Sequence, residues 1–352
     1  MKRGILIGII IVIAIIIAAF FVFINQNSKE NLNAENQSPT TIPDSVENNC
    51  IGFVIGAPDE IPLISKIGGG WARPHPGPFA WGFIETEKGK FDFSVTDEYV
   101  QVAQEKNIAI LATIFPYADW DQASCHSKEC EVSTLDIFYP EVKMGWKNGI
   151  PKSRCIPCNF TDYNVFIMKL VERYDGDGIE DMLGLKIPIK YWEVLNEPEM
   201  KGGDMTFFKG TPEEYAEIFK KTRDLIKGTC SDCKILHAGA AGVQDYMLDY
   251  WGKVFGNKID FDIANIHFIK RSDLNTLNVK DFKIFLSENN INTSIWVTEA
   301  EYNSDSEIEN SVIGALNAGA SKIFFTQFKV GQFGPPSGEY SPSLKNISSK
   351  CK

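Results

Sequence analysis

No stretch of this 352-residue chain interleaves basic residues with aromatics, and 35 Lys and Arg stand against 46 Asp and Glu, a formal net charge of −11. That balance excludes the electrostatic footprint of a nucleic-acid-binding protein and disfavours a strongly anionic polymer as substrate. Cysteine is missing from the first 49 residues, and charge is missing from residues 4–24. The uncharged run, GILIGIIIVIAIIIAAFFVFI, is 21 residues long. At about 1.5 Å per residue it reaches ~30 Å, the thickness of a bilayer's hydrocarbon core. No clear A-x-A site follows it, which favours an uncleaved transmembrane anchor over a cleaved signal peptide. Lys2 and Arg3 precede the run, so the N-terminus is expected in the cytoplasm and the rest of the chain outside it.

Residues 25–49, NQNSKENLNAENQSPTTIPDSVENN, have no apolar period and read as a polar linker. Residues 50–352 remain for one globular domain, ample for a sizeable core. All eight cysteines lie there: Cys50, Cys125, Cys130, Cys155, Cys158, Cys230, Cys233 and Cys351. An even number outside a membrane reads first as disulfides. The rival is a four-thiolate zinc site from Cys125, Cys130, Cys155 and Cys158.

Short apolar runs alternate with amphipathic segments along the domain. IGFVIG (51–56), WAR (71–73), IAILATIF (108–115) and IKYWEVLN (189–196) read as strands. So do KILHAG (234–239), FDIANIHFI (261–269), TSIWVTEAEY (293–302) and KIFFTQF (322–328). VTDEYVQVAQEKN (95–107) and YNVFIMKLVERY (163–174) have helical spacing. TPEEYAEIFKKTRDLIKG is the best-marked helix: Thr211 caps it, Pro212 takes its first position, Glu213 and Glu214 follow, and Gly228 ends it.

Eight strands alternating with helices imply a parallel sheet covered by helices, and eight suggest closure into a (β/α)8 TIM barrel. The rival, an open doubly wound sheet, lacks the G-x-G-x-x-G expected after its first strand. In a closed barrel both chain ends can reach the N-terminal face, so Cys50 is expected to pair with Cys351. Cys125–Cys130, Cys155–Cys158 and Cys230–Cys233 are expected as local bridges. Residues 116–161 exceed what a minimal barrel needs and form a long cysteine-bearing loop.

A barrel's active site lies where its strands end, at the C-terminal face. Glu197 ends the fourth strand run, in YWEVLNEPEM, and Glu299 ends the seventh, in WVTEAEY. Desolvating a carboxylate at a strand's lip costs several kcal/mol unless it is paired, so stability alone does not explain it. Two carboxylates across a barrel mouth are what glycosidic cleavage requires, one to protonate the leaving oxygen and one to attack the anomeric carbon or activate water. Strand-end acids also bind metals or cap helices. Glu299 is preferred to Glu301 because it is the first acid past the apolar run.

LNEPE and VTEAE resemble the fourth- and seventh-strand signatures of the clan A glycoside hydrolases, retaining enzymes on a (β/α)8 barrel. RPHPGPFAWGFIETEKGKFDFSVTDEYVQVAQEKNIAILATI resembles the clan's second-to-third-strand region, through Arg73, Trp81, Glu85, Gly89, Phe91, Asp92, Phe93 and Asp97. NIHFI is similar to its sixth strand, with His267 in place and Ile269 where the clan has Tyr. Gln327 stands where the eighth strand usually ends in Trp.

The resemblance implies Glu197 as acid/base and Glu299 as nucleophile. It also implies Asn196 on the sugar 2-hydroxyl, Arg73 holding Glu299 ionised, and His267 at the site. Trp120, in YADWDQ, either stacks a sugar ring or packs the cysteine loop. Trp192 and Trp296 are expected in the core. No metal or organic cofactor is required. The expectation is a membrane-anchored, extracytoplasmic retaining glycosidase acting on an oligosaccharide, polysaccharide or glycoconjugate. The alternative from another class is a surface carbohydrate-binding or structural barrel that has lost turnover.

Overall fold

The computed structural model describes residues 39–132, 151–202, 206–270, 272–301, 305–326 and 351. Its parallel strands close into an eight-stranded barrel in chain order, the last pairing with the first. The strands are β1 (Ile51–Ile55), β2 (Trp71–Pro74), β3 (Ala109–Ile114), β4 (Tyr191–Val194), β5 (Lys234–His237), β6 (Ile263–Phe268), β7 (Ser294–Ala300) and β8 (Ala320–Phe325). Each falls within or against an apolar run read from the sequence, and closure rules out the open sheet. The helix Pro212–Thr229 has the expected cap, strengthened into a capping box by the Glu214 side chain on the Thr211 backbone. The apolar run 4–24 lies outside the described residues. Among those described, no helix is long and apolar enough to cross a membrane.

Strand alternation sorts the interior of the barrel into layers. Val54, Trp71, Leu111, Leu236, Ile263, Trp296 and Phe324 form an apolar floor. Two residues further along their strands, Arg73, Thr113, Asn265 and Thr298 form a buried polar layer, with Glu193 above Tyr191. The opposite strand faces, including Trp192, pack under the helices in the main core. Trp192 and Trp296 are thus both core residues, on different sides of the sheet. Each fully buried Ile or Phe contributes about 1.5–3 kcal/mol.

The end of the polar linker differs from expectation. Asp44–Glu47 is a helical turn that closes the floor of the barrel, with Val46 buried and its carbonyl accepting from Trp71 Nε1 at 3.1 Å. Lys322 Nζ donates to the Asn49 carbonyl at 3.0 Å and lies 4.3 Å from the Trp71 ring centroid. Two apolar residues in a polar stretch, Val46 and the partly buried Ile42, pack against the floor, so the tether reading through Asn49 runs too far.

Cys50–Cys351 and Cys230–Cys233 are bonded as expected. The loop bridges are corrected: Cys125 pairs with Cys158, and Cys130 with Cys155. The two cysteine segments run antiparallel through a Glu131–Ser153 bridge, and Val132 N donates to Lys152 O. That pairing sets Arg154 opposite Cys130, its N donating to the Cys130 carbonyl at 3.0 Å, and so brings the neighbouring Cys155 to Cys130. With every described thiol in a disulfide, the zinc alternative falls.

Candidate active site

The site is built on the polar layer of the barrel. Arg73, on β2 and wholly buried, donates from Nε to Glu193 Oε2 at 2.7 Å, from Nη1 to Glu299 Oε1 at 2.8 Å, and from Nη2 to Asn196 Oδ1 at 2.8 Å. One guanidinium therefore fixes three acceptors from β4, its following turn and β7. With its oxygen held by Arg73, the Asn196 amide turns its NH2 group away from the guanidinium.

β4 stops at Val194, before the Asn-Glu-Pro sequence. The chain leaves it through Leu195 at φ 71° and Glu197 at φ 37°, in the left-handed region. Such positions cost about 1–3 kcal/mol each and persist where surrounding contacts impose them. Leu195 N is held by Ile114 O at 2.9 Å, and Glu197 O accepts from Met200 N at 3.0 Å. The turn brings Glu197 Oε1 to 2.7 Å from His267 Nδ1. His267 also lies 3.7 Å from Glu299 Oε1 through the same atom. Carboxylate oxygens of Glu197 and Glu299 approach within 4.8 Å of each other.

The two carboxyls sit in different electrostatic settings. Burial, with Glu193 and Glu301 nearby, raises Glu197 to about 8 against the pull of Arg73 and Lys270. Burial also raises Glu299, but the bonded Arg73 guanidinium opposes the shift. The direct ion pair to Arg73 makes Glu299 the more readily ionised of the two. Burial lowers His267 to about 4 and holds it neutral. Glu197, His267 and Glu299 also offer three ligand-type atoms within 4.8 Å of one another. The Arg73 charge bonded to Glu299 opposes a cation there.

Arg73, Asn196, Glu197, His267 and Glu299 are thus brought together as the sequence implied. Glu301 lies just past the end of β7 and is partly exposed, whereas Glu299 is within the strand and buried. Gln327 lies outside the described residues. Trp120 is partly buried, donates from its indole to Glu85 O at 2.8 Å and packs edge-on to Trp81, with ring centroids 5.1 Å apart. These contacts tie the start of the cysteine loop to the Trp81–Glu85 turn. Glu85 itself accepts from Trp81 Nε1 at 2.7 Å and Gly89 N at 2.6 Å, so the Glu-x-x-x-Gly spacing closes a turn. Asp97 pairs with Arg173 and Tyr174.

Several site residues escaped sequence reasoning. Glu193 reads as part of an apolar run, yet it accepts from Arg73, Thr113 and Asn265. Period-two alternation from Tyr191 was the available signal. His75 is buried between Phe115 and Phe207, and its Nε2 is 3.9 Å from Glu299 Oε1. Its place in a Pro-rich turn sequence carried no such signal.

No family model matches the chain, and no curated protein matches its sequence. Solved structures do match. A glucosidase from Croceicoccus marinus superposes with TM-score 0.58 at 13% identity, covering 90% of this chain and 70% of the glucosidase. A family 39 glycoside hydrolase from Bacteroides cellulosilyticus WH2 gives 0.54 at 16%, covering 89% of this chain and 65% of that one. A GH10 xylanase from Bispora sp. MEY-1, solved with xylobiose, gives 0.55 at 10%, covering 89% of this chain and all (100%) of the xylanase. The chain therefore spans the whole xylanase barrel but only about two thirds of the larger enzymes. At these identities the likeness is one of fold: the chain has the (β/α)8 barrel of the clan A glycoside hydrolases.

Proposed function

We propose that this protein is a retaining glycoside hydrolase in which Glu197 is the acid/base and Glu299 the nucleophile. The observation that carries this is the pair itself. Two buried carboxyls lie within 4.8 Å, one bonded to a guanidinium and the other to a neutral imidazole. Carboxylate oxygens within 4.8 Å of each other fit the short spacing that a nucleophile needs, rather than the wider one that seats an inverting enzyme's water. At neutral pH Glu197 is protonated and Glu299, paired with Arg73, is the anion.

In the first step Glu299 forms a bond to the anomeric carbon as the glycosidic C–O bond breaks, and the Glu197 proton passes to the leaving oxygen. In the second, Glu197 takes a proton from water, and the oxygen of that water displaces Glu299 from the sugar. Asn196, held by Arg73 and next to Glu197 in the chain, is the residue whose NH2 group meets the 2-hydroxyl. The substrate is an oligosaccharide, polysaccharide or glycoconjugate. Residues 1–24 anchor the domain and 25–352 lie outside the cytoplasm, a topology supported by Lys2 and Arg3 before the apolar run.

Ile269 in place of a tyrosine beside the nucleophile favours a second reading, a sugar-binding barrel without turnover. Hydrolysis of a panel of aryl glycosides, with the Glu197→Gln protein as blank, separates the two. Turnover above the blank supports the enzyme; binding without turnover supports the alternative.

A further inference from the structure

Beneath the carboxyl pair runs a hydrogen-bond chain whose proton positions can be assigned one after another. It begins at Glu193, which accepts from Arg73 Nε at 2.7 Å and Thr113 Oγ1 at 2.6 Å on one oxygen, and from Asn265 Nδ2 at 2.6 Å on the other. Its contacts are all donors, as a carboxylate requires. Asn265 Nδ2 donates to a second acceptor as well, the His237 carbonyl at 3.3 Å. Flipping this amide would set its oxygen against two acceptors, so Oδ1 must be the atom 2.8 Å from Thr298 Oγ1.

The single Thr298 hydroxyl proton therefore goes to Asn265 Oδ1. Its only other listener on that side is Glu193 Oε1 at 3.4 Å, also an acceptor. Either way Thr298 has no proton left for His267, whose Nε2 lies 2.8 Å from the same oxygen. His267 Nε2 must then be the donor.

We infer that Asn265 and Thr298 hold His267 as its Nε2–H tautomer, leaving a bare Nδ1 that accepts a hydrogen bond from a protonated Glu197. The alternative at that contact, a carboxylate oxygen 2.7 Å from a ring lone pair, is repulsive. Asn265 and Thr298 are positioning residues: they touch neither carboxyl of the pair but decide which partner the imidazole offers. Were the proton on Nδ1 instead, His267 would donate to an ionised Glu197, stabilise its anion, lower its pKa and leave it without the proton that a general acid must carry at rest. The lock thus keeps the acid loaded at rest. Once Glu197 has given its proton away, no imidazole N–H stabilises the carboxylate, which keeps it basic enough to take the next proton from water.

The charged and titratable groups around His267 are Arg73 and His75 at β2, Glu193 and Glu197 at β4 and its turn, His237 on β5, Lys270 after β6, and Glu299 and Glu301 at β7. The low position of the His267 titration and the high one of Glu197 agree with the assigned protons.

The inference rests on the reading of Glu197 as the acid, but its test needs no substrate. Full-length protein labelled with 15N in its four histidines would be examined at pH 7, with His267 assigned through loss of its signals in His267→Gln. The expected spectrum has the ring proton on Nε2 and none on Nδ1. In Thr298→Val the proton should move to Nδ1, and the Glu197 carboxyl, followed by 13C, should titrate at least one pH unit lower. Thr298→Ser should keep the native tautomer. A native proton on Nδ1, or an unchanged tautomer in Thr298→Val, would overturn the inference. If Thr298→Val does not fold, the native and Thr298→Ser spectra decide. Absent hydrolysis with an Nε2–H tautomer would sink the enzymatic reading alone; hydrolysis with an Nδ1–H tautomer would sink this one alone.

Discussion

A Cβ on Gly239 would lie 1.9 Å from Nε2 of His267. The glycine after β5 is therefore what admits the imidazole against the end of that strand. Gly239→Ala should displace the ring, cost about 1–3 kcal/mol as an overpacked core position does, and reduce kcat/KM at least tenfold. Thermal unfolding and aryl glycoside kinetics measure both. Native values for each would show that the ring has room to move without consequence.

Removing Arg73 leaves Glu193 and Glu299 without their shared guanidinium. Breaking a buried ionic group by deleting one partner costs about 3–5 kcal/mol, because the charge left behind has no counterion. Arg73→Met should lose that much in denaturant unfolding. Adding Glu193→Gln should restore part of it, a coupling that a double-mutant cycle isolates. Strictly additive losses would contradict a direct role for the pair.

Glu199 supplies a test that is independent of catalysis. It is buried, its Oε1 accepts from Ala241 N at 2.6 Å, and among the described residues Oε2 has no partner at hydrogen-bond distance. Burial, helped by Glu197, raises it from 4.5 to about 8. A carboxyl raised on folding binds more protons in the native state than in the unfolded one. Its contribution is therefore fully present below about pH 4.5 and is lost as pH climbs to about 8. Glu199→Gln should gain on the native protein across that window, by on the order of 1–3 kcal/mol, and hold the gain above it. A stability difference that does not change with pH would show that Glu199 titrates normally.

The disulfide pattern is open to direct mapping. Peptides from non-reduced protein should link Cys125 to Cys158 and Cys130 to Cys155, with no Cys155–Cys158 peptide. Cys50→Ser with Cys351→Ser opens a closure of 301 residues and should lower stability by up to about 5 kcal/mol on the chain-entropy view. Local bridges in the loop, or full native stability without the terminal bridge, would contradict the pairing.

The barrel was legible because its strands are continuous apolar runs, the form taken by strands buried on both faces. Glu197, Asn196 and Glu299 were legible because each ends such a run. The chain that connects them was not. Glu193, Asn265 and Thr298 sit inside apolar runs, where period-two alternation sorts residues onto two faces but does not say which face meets the helices and which the interior. Only closure of the barrel brings the three onto one layer. The crossed disulfides were hidden for a related reason, since spacing within each cysteine pair says nothing of the antiparallel contact between the pairs. Val46 and Ile42 show the opposite error, isolated apolar residues in a polar stretch that nevertheless dock.

The central claim is that Glu299 attacks the sugar while Glu197 supplies the proton. A 2-deoxy-2-fluoro glycoside with an activated leaving group, matched to the aryl glycoside hydrolysed best, traps the nucleophile as a covalent ester. Peptide mass spectrometry of the inactivated protein should place one label on Glu299, and the Glu197→Gln protein should still accept it from so good a leaving group. A label on Glu301 with Glu299 unmodified would contradict the account.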